Sequence, residues 1–167
     1  EQAYRRSLAI DGELPEAWHN LGLLLRRSGR DAEAAKAFAR AIEIDPKMSG
    51  ATIMLAELRQ REGRQGEAAD LATRACAAPQ GQAAACRLLG LIASEGQNWE
   101  RAEQAYERAT LLDGTLADDW VALGQARLQR GKAAEATAAL DKALAINPQH
   151  ATAYQALSAV HGRRGDY

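Results

Sequence analysis

Residues 15–48 read PEAWHNLGLLLRRSGRDAEAAKAFARAIEIDPKM, and residues 117–150 read ADDWVALGQARLQRGKAAEATAALDKALAINPQH. Laid over one another, the two stretches agree at Trp18 and Trp120, Leu21 and Leu123, Gly22 and Gly124, Ala34 and Ala136, and Pro46 and Pro148. The segment between them keeps the beat. Ala34, Ala68, Ala102 and Ala136 are 34 residues apart, and so are Leu21, Leu55, Leu89, Leu123 and Leu157. Two independent series with one period of this size signal a stacked helical-repeat array.

With Pro15 as position 1, the chain divides without insertion into units 15–48, 49–82, 83–116 and 117–150. Residues 1–14 then form the second helix of a partial repeat, and 151–167 the first helix of another. The whole is expected to be one solenoid domain. Each unit begins with an amphipathic helix, its apolar face carried by positions 4, 7 and 10, as in Trp18, Leu21 and Leu24. A glycine follows (Gly29, Gly63, Gly96, Gly131, Gly165), which suits a helix end in the left-handed conformation. The second helix presents Ala34, Phe38, Ala41 and Ile42 and stops at Asp45-Pro46, because proline cannot continue it. Two helices and two short turns leave no room for strands, so the expected class is all-α.

The small residues have a mechanical role. Two helices cross closely only where one offers almost no side chain, and position 8 is Gly22, Ala56, Gly90, Gly124 or Ser158. Large residues at positions 4 and 24 fill the adjoining space and interdigitate with the small ones. Unit 49–82 departs from this scheme: Thr52 stands at position 4, Ala72 at 24 and Gln80 where proline is expected. Its packing is expected to be the weakest in the array unless Met54 and Leu71 repack into the space.

The chain has 167 residues, 47% of them hydrophobic and 26% charged, with a formal net charge of −1. That suits one ordinary folded domain. Near-neutral charge argues against a general nucleic-acid binder, which needs a basic face to displace counterions. No run approaches the ~18 apolar residues of a membrane span, so no direct membrane insertion is expected. Cys76 and Cys86 form no CxxC and have no neighbouring histidine, which leaves no metal site; they read as two small buried apolar residues, with a disulfide left open.

The pattern of Trp18, Leu21, Gly22, Ala34, Phe38, Ala41 and Pro46 resembles the tetratricopeptide repeat, and Trp120, Leu123, Gly124, Ala136, Leu140, Ala143 and Pro148 repeat the match. Unit 83–116 keeps Leu89, Gly90, Ala102, Tyr106 and Ala109 but has Cys86 early and Gly114 at its end. The resemblance implies a right-handed α-solenoid of antiparallel helix pairs, with a concave groove lined by the first helix of each unit. By that analogy positions 2, 5, 9, 12 and 13 face the groove. The partner-binding residues are then His19, Leu23, Arg26, Arg27, Ile53, Arg61, Arg87 and Leu91. Val121 and Leu128 add further apolar surface. A protein or peptide partner docking partly through apolar side chains fits such a wall. The four arginines favour an acidic segment or a chain terminus as the ligand.

Two specialised versions of the family are disfavoured by residue. The chaperone-tail clamp resembles Lys at position 5 with Asn at position 9, and no unit has the pair. The asparagine ladder of glycosyltransferase-type arrays needs Asn at position 6, where only Asn20 fits. Catalysis finds no support either, since His19, His150 and His161 occupy unrelated positions and each glycine is explained by a turn. Glu33, Glu67 and Glu135 recur at position 19 as helix-start charge. No cofactor is implied.

At the ends, Tyr4, Leu8, Ile10, Leu157 and Val160 are expected to lack a partner helix, because arrays bury an apolar face of each unit on the next. The chain therefore reads as a segment of a longer array, with head-to-tail self-association as one consequence. The function expected is a protein–protein interaction scaffold; the alternative is a substrate-recruiting or regulatory array of a larger enzyme, such as a transferase. Alanine- and arginine-rich usage leans towards a bacterial source, in cytoplasm or periplasm.

Overall fold

A computed structural model describes residues 1–78 and 82–164, and among them every regular element is a helix. In order these are α1 (Gln2–Ile10), α2 (Pro15–Arg27), α3 (Asp31–Ile44), α4 (Ser49–Arg61), α5 (Gln65–Ala77), α6 (Ala83–Glu95), α7 (Trp99–Leu112), α8 (Ala117–Gln129), α9 (Ala133–Ile146) and α10 (Ala151–Arg164). Gln80 and Gly165, singled out above, lie outside the described residues. The chain divides into two compact units, Glu1–Gln80 with α1–α5 and Gly81–Tyr167 with α6–α10. In the first unit α2 packs on α3 and α4 on α5, with α3 against α4 and α1 against α2. The second repeats the scheme with α6 on α7, α8 on α9 and α7 against α8, while α10 covers both α8 and α9.

The helix pairs close where a side chain is missing. A Cβ added to Gly22 would meet the Phe38 ring at 2.6–2.9 Å, and one added to Gly90 would meet Tyr106 at 2.7–2.8 Å. At Gly124 it would stand 2.8 Å from Leu140 Cγ. Position 8 therefore receives the large residue of position 24. Ala34, Ala68, Ala102 and Ala136 are all fully buried, as that close crossing requires. In unit 49–82 both partners are small, and Ala56 and Ala72 are nonetheless fully buried. Met54 and Leu71 pack against the core of the first unit there. Beside Thr52 a depression of about 310 Å³ persists, lined by Pro46, Lys47, Ser49, Thr52 and residues of α5.

The turns inside each pair share one hydrogen-bond pattern. The Gly29 N–H reaches the Arg26 carbonyl and the Arg30 N–H the Leu25 carbonyl, both at 3.0 Å. The same two bonds recur after α4, α6 and α8, and they place position 15 in the left-handed region. Gly29, Gly63 and Gly131 take φ of +73°, +76° and +77° there. The third turn differs from the sequence expectation. Gly96 sits one residue early with φ −80°, and Gln97 carries the positive φ of 56°. The turn's hydrogen bonds fix position 15, so the side chain falling there bears the strain.

Between pairs, the extended residues Asp11, Asp45, Asp113 and Asn147 end their helices. Each accepts, through its side chain, the N–H two residues on at 2.9–3.1 Å, the local bond that favours Asp and Asn in turns. The position-4 aromatics then tie helix to loop. Trp18 Nε1 donates to the Gly12 carbonyl at 2.8 Å, Trp120 Nε1 to Gly114 at 3.0 Å, and the Tyr154 hydroxyl to Pro148 at 3.1 Å.

One expectation is corrected and one open point is settled. Val160 is fully buried, in a cluster with Ala153, Ala156 and Leu140, and Tyr4, Leu8 and Leu157 are partly buried; Ile10 alone of the five stands open, at 89% exposure. Cys76 and Cys86 are buried as expected, but both are disulfide-bonded and no free thiol occurs among the described residues.

Moving Gln97 to glycine removes left-handed strain worth about 1–2 kcal/mol, less the roughly 0.4–1 kcal/mol of entropy glycine adds to the unfolded chain. Gln97→Gly should therefore stabilise the protein by about 0.5–1 kcal/mol, while Gly29→Ala, with open space around it, destabilises by about 1 kcal/mol through strain alone. Urea unfolding of both variants checks the opposite signs.

Candidate functional site

In the second unit a concavity of about 470 Å³ opens along α6, α8 and α10, with Trp99 and Tyr106 of α7 at its side. Leu91 and Ser94 come from α6, Ala122, Gln125, Ala126, Leu128 and Gln129 from α8, and Thr152, Gln155, Ala156 and Ala159 from α10. Helical spacing explains the set, because residues three and four apart share a face. Leu91 stands 45% exposed at this surface, while Leu128, only 5% exposed, forms floor rather than rim. None of the lining residues carries a charge. Apolar carbons with side-chain amides and hydroxyls around them offer contact area and hydrogen bonds to an uncharged polypeptide backbone.

The first unit arranges its residues differently. Leu23 and Arg27 line a depression of about 560 Å³ with Asn20, Leu24, Ser28 and Tyr4. His19 is half-buried, its ring centroid 5.6 Å from that of Phe38, and its Cε1 lies where a Cβ on Gly50 would come within 3.4 Å. Its Nδ1 is buried without a hydrogen-bond partner, and burial pushes the imidazole below the ordinary histidine range. Ile53 is 4% exposed and belongs to the interior.

Three of the four expected groove arginines are already paired. Arg26 meets Glu57 at 2.9 Å, and Arg61 meets Asp31 at 3.3 Å. Arg87 grips Asp119 with two bonds, Nε to Oδ1 at 2.5 Å and Nη2 to Oδ2 at 2.8 Å. The hydrogen bonds Arg87 donates to Asp119, whose side chain is 2% exposed, raise the guanidinium above its ordinary value. Arg27 is exposed and has no ion-pair partner among the described residues. The arginines thus do not form a free cationic patch.

A second buried carboxylate gathers more cations. Glu103 on α7, with a side chain 6% exposed, takes Arg130 at 2.6 Å, Lys132 at 2.9 Å and Arg127 at 3.3 Å. Burial by itself would push this carboxyl up, but the hydrogen bonds from Lys132, Arg130 and Arg127 outweigh it and hold it below the ordinary glutamate range. The cluster ties α7 to α8 and to the turn before α9. It is a structural clamp, and no group of three or more metal-ligating side chains occurs among the described residues. No helix there is long and apolar enough to cross a membrane.

Sequence reasoning missed Thr152, Gln155 and Ala159, which continue positions 2, 5 and 9 onto α10; carrying the positional rule one helix further would have found them. It also missed Asp119 as the residue that occupies Arg87. No local signal marks that pair, which is 32 residues apart.

Comparison with known families agrees with this geometry. A tetratricopeptide-repeat profile matches residues 15–48, and a second matches residues 117–160. This is a tetratricopeptide-repeat protein. Among solved structures, the tetratricopeptide fold here is similar to MamA, at 22% identity and a TM-score of 0.82 over 93% of this chain and 85% of that one. YrrB, described as a TPR protein with an unusual peptide-binding site, matches at 18% identity and 0.88, over 98% and 84%. The pilF protein of Pseudomonas aeruginosa matches at 24% and 0.73, over 92% and 70%. Such identities speak for the fold alone. No protein of curated function is significantly similar to this chain in sequence.

Because the folded-state carboxyl of Glu103 is depressed, its contribution to stability is complete above its unfolded-state value and is lost as pH falls through the folded one. Glu103→Gln should cost about 1–3 kcal/mol at pH 7, since it leaves partly buried cations unpaired. The deficit should shrink steadily below about pH 4. Thermal unfolding of both proteins from pH 7 to pH 3 would check it; a deficit independent of pH points to packing instead.

Proposed function

We propose that this chain is a protein-interaction scaffold that receives an extended peptide segment on the concave face of its first-position helices. The supporting observation is the uncharged concavity of the second unit, where Leu91 is left 45% exposed among Ala122, Gln125, Gln155 and Ala159. Leu91 is set apart from other exposed leucines by its place in a concave, uncharged lining, where a docking segment can bury it. The amides of Gln125 and Gln155 are suited to backbone N–H and C=O groups and so favour an extended segment over a charged one. The peptide-binding description of YrrB lies in the same direction.

In the first unit, Arg27 beside Leu23 supports an acidic side chain or a terminal carboxylate as the group that docks there. Interaction rather than catalysis is the role this reading assigns. Head-to-tail association of copies, with α1 of one against α10 of the next, draws support from the exposure of Ile10 at 89% and Tyr154 at 55%.

Peptides selected from a displayed random library against the full chain should lose at least tenfold in affinity on Leu91→Glu and on Ala159→Glu, both surface changes. Peptides that keep their affinity for both variants would remove the second-unit face from consideration. Light scattering over a range of concentrations tests self-association: mass should grow with concentration, and Ile10→Glu should suppress the growth. A constant monomer mass refutes it.

A further inference from the structure

The depression beside Thr52 is more than a packing fault, because what surrounds it is the remainder of a ring-binding site. In repeat 117–150, position 4 is Trp120. Its indole N–H is donated to the loop carbonyl six residues back, and Lys142 at position 26 lies 4.3 Å above the ring centroid. Trp18 makes the same bond to the carbonyl of Gly12, and Tyr154 makes its counterpart to Pro148. Position 26 is a cation in all four full units: Arg40, Arg74, Arg108 and Lys142.

In unit 49–82 the ring is gone, while the loop carbonyl and a position-26 cation of the kind that covers Trp120 remain; in unit 15–48 that cation, Arg40, is paired with Glu13 and Glu43 instead. The carbonyl six residues before Thr52 belongs to Pro46, which lines the depression and accepts no hydrogen bond from a described residue. The cation at position 26 is Arg74, which also lines it, is exposed, and has no partner among the described residues. The wall is Ala75, Ala77 and Ala78, small residues that leave about 310 Å³ open. Thr52 lines it as well, but its hydroxyl is already donated to the Met48 carbonyl at 3.1 Å. An acceptor, a cation and a small-residue wall are therefore kept together where the chain supplies no ring. None of these residues lines the concavity of the second unit.

We propose that this depression is a socket for a tryptophan side chain presented by a partner polypeptide. The indole takes the place that Trp120 holds in its own repeat, donates its N–H to the Pro46 carbonyl and lies beneath the Arg74 guanidinium. Guanidinium over an indole face is a favourable cation–π arrangement, and indole is the best aromatic partner for it. A buried indole needs one acceptor for its N–H, and Pro46 supplies it. Leucine or methionine would fill the volume but leave the acceptor and the cation unused. Phenylalanine would satisfy the cation alone. The chemistry thus ranks tryptophan first.

The test is a titration of the isotope-labelled full chain with N-acetyl-L-tryptophanamide, followed by amide resonances. Saturable shifts are expected at Lys47, Thr52, Ala75 and Ala78, with much smaller ones from N-acetyl-L-leucinamide. An end-capped Gly-Trp-Gly peptide should bind at least as tightly as the single residue, since the occupant belongs to a polypeptide. Arg74→Ala, an exposed change, should weaken binding at least threefold. Thr52→Trp should abolish it and raise the melting temperature as the chain's own indole seats. The proposal is overturned if the tryptophan probe gives no saturable shift up to its solubility limit, or if the leucine analogue matches it. It is equally overturned if Arg74→Ala binds undiminished, or if the capped peptide binds more weakly than the single residue. Should Thr52→Trp fail to fold by circular dichroism, the Arg74→Ala and probe comparisons still decide.

Discussion

Everything in each unit depends on two helices approaching closely enough for a ring or an isobutyl group to rest on a bare backbone. Gly22 beneath Phe38, Gly90 beneath Tyr106 and Gly124 beneath Leu140 are three solutions of one geometric demand. A methyl group added at any of them would stand closer than van der Waals contact permits and force the pair apart, a kind of overpacking that costs about 1–3 kcal/mol. The demand explains why alanine at position 20 is fully buried in every full repeat. It also explains why the apolar content is spent on small residues: tight crossings gain dispersion contacts from backbone and Cβ atoms rather than from long side chains. Repeat 49–82 shows that this constraint is looser than it first reads. Ala56 against Ala72 crosses without a large partner, and Met54 and Leu71 supply apolar volume from neighbouring turns.

Charge follows a second logic. An arginine on the first helix of a repeat has carboxylates of the next repeat within reach, and Arg26–Glu57 and Arg87–Asp119 both use this geometry. Exposed pairs of this kind contribute little, roughly 0–1 kcal/mol. Arg87 differs because Asp119 is buried and gripped in a fork, which makes it a fixed part of the fold. Arginines engaged in this way hold repeats together instead of meeting ligand. The residues lining the second unit's concavity carry no charge, and under the proposed function that shifts the expected partner from an acidic tail to an extended backbone with apolar side chains.

The position-4 aromatics connect stability to recognition. Each one joins a loop carbonyl to the first turn of its helix, and the cation at position 26 roofs the ring in the best-formed case, Lys142 over Trp120. Repeats 49–82 and 83–116 both lack the aromatic. One has Cys86 there, buried and disulfide-bonded; the other has Thr52 with an open depression beside it. A degenerate repeat keeps the receptor groups of its intact neighbours, and such retained groups are where new binding can arise at little cost to the fold.

The 34-residue period, the helix pairs and the small-residue crossings were legible in the amino-acid order, since each depends on spacing along a single chain and on local backbone preference. The left-handed turn position was misplaced by one residue in a single repeat, where Gly96 drew attention and Gln97 bears the strain. Hydrogen bonds across the turn outrank residue preference there. The burial of Ile53 and Val160, the pairing of Arg87 with Asp119 and the three-cation grip on Glu103 were not legible. These depend on the rotation of one helix against another and on contacts made 24–32 residues apart. The sequence by itself determined which residues are small, which faces are apolar and how often the pattern returns. Only the tertiary structure decided which charges are consumed and which apolar side chains stay open, because side-chain partners are chosen across the packed interface and not along the helix.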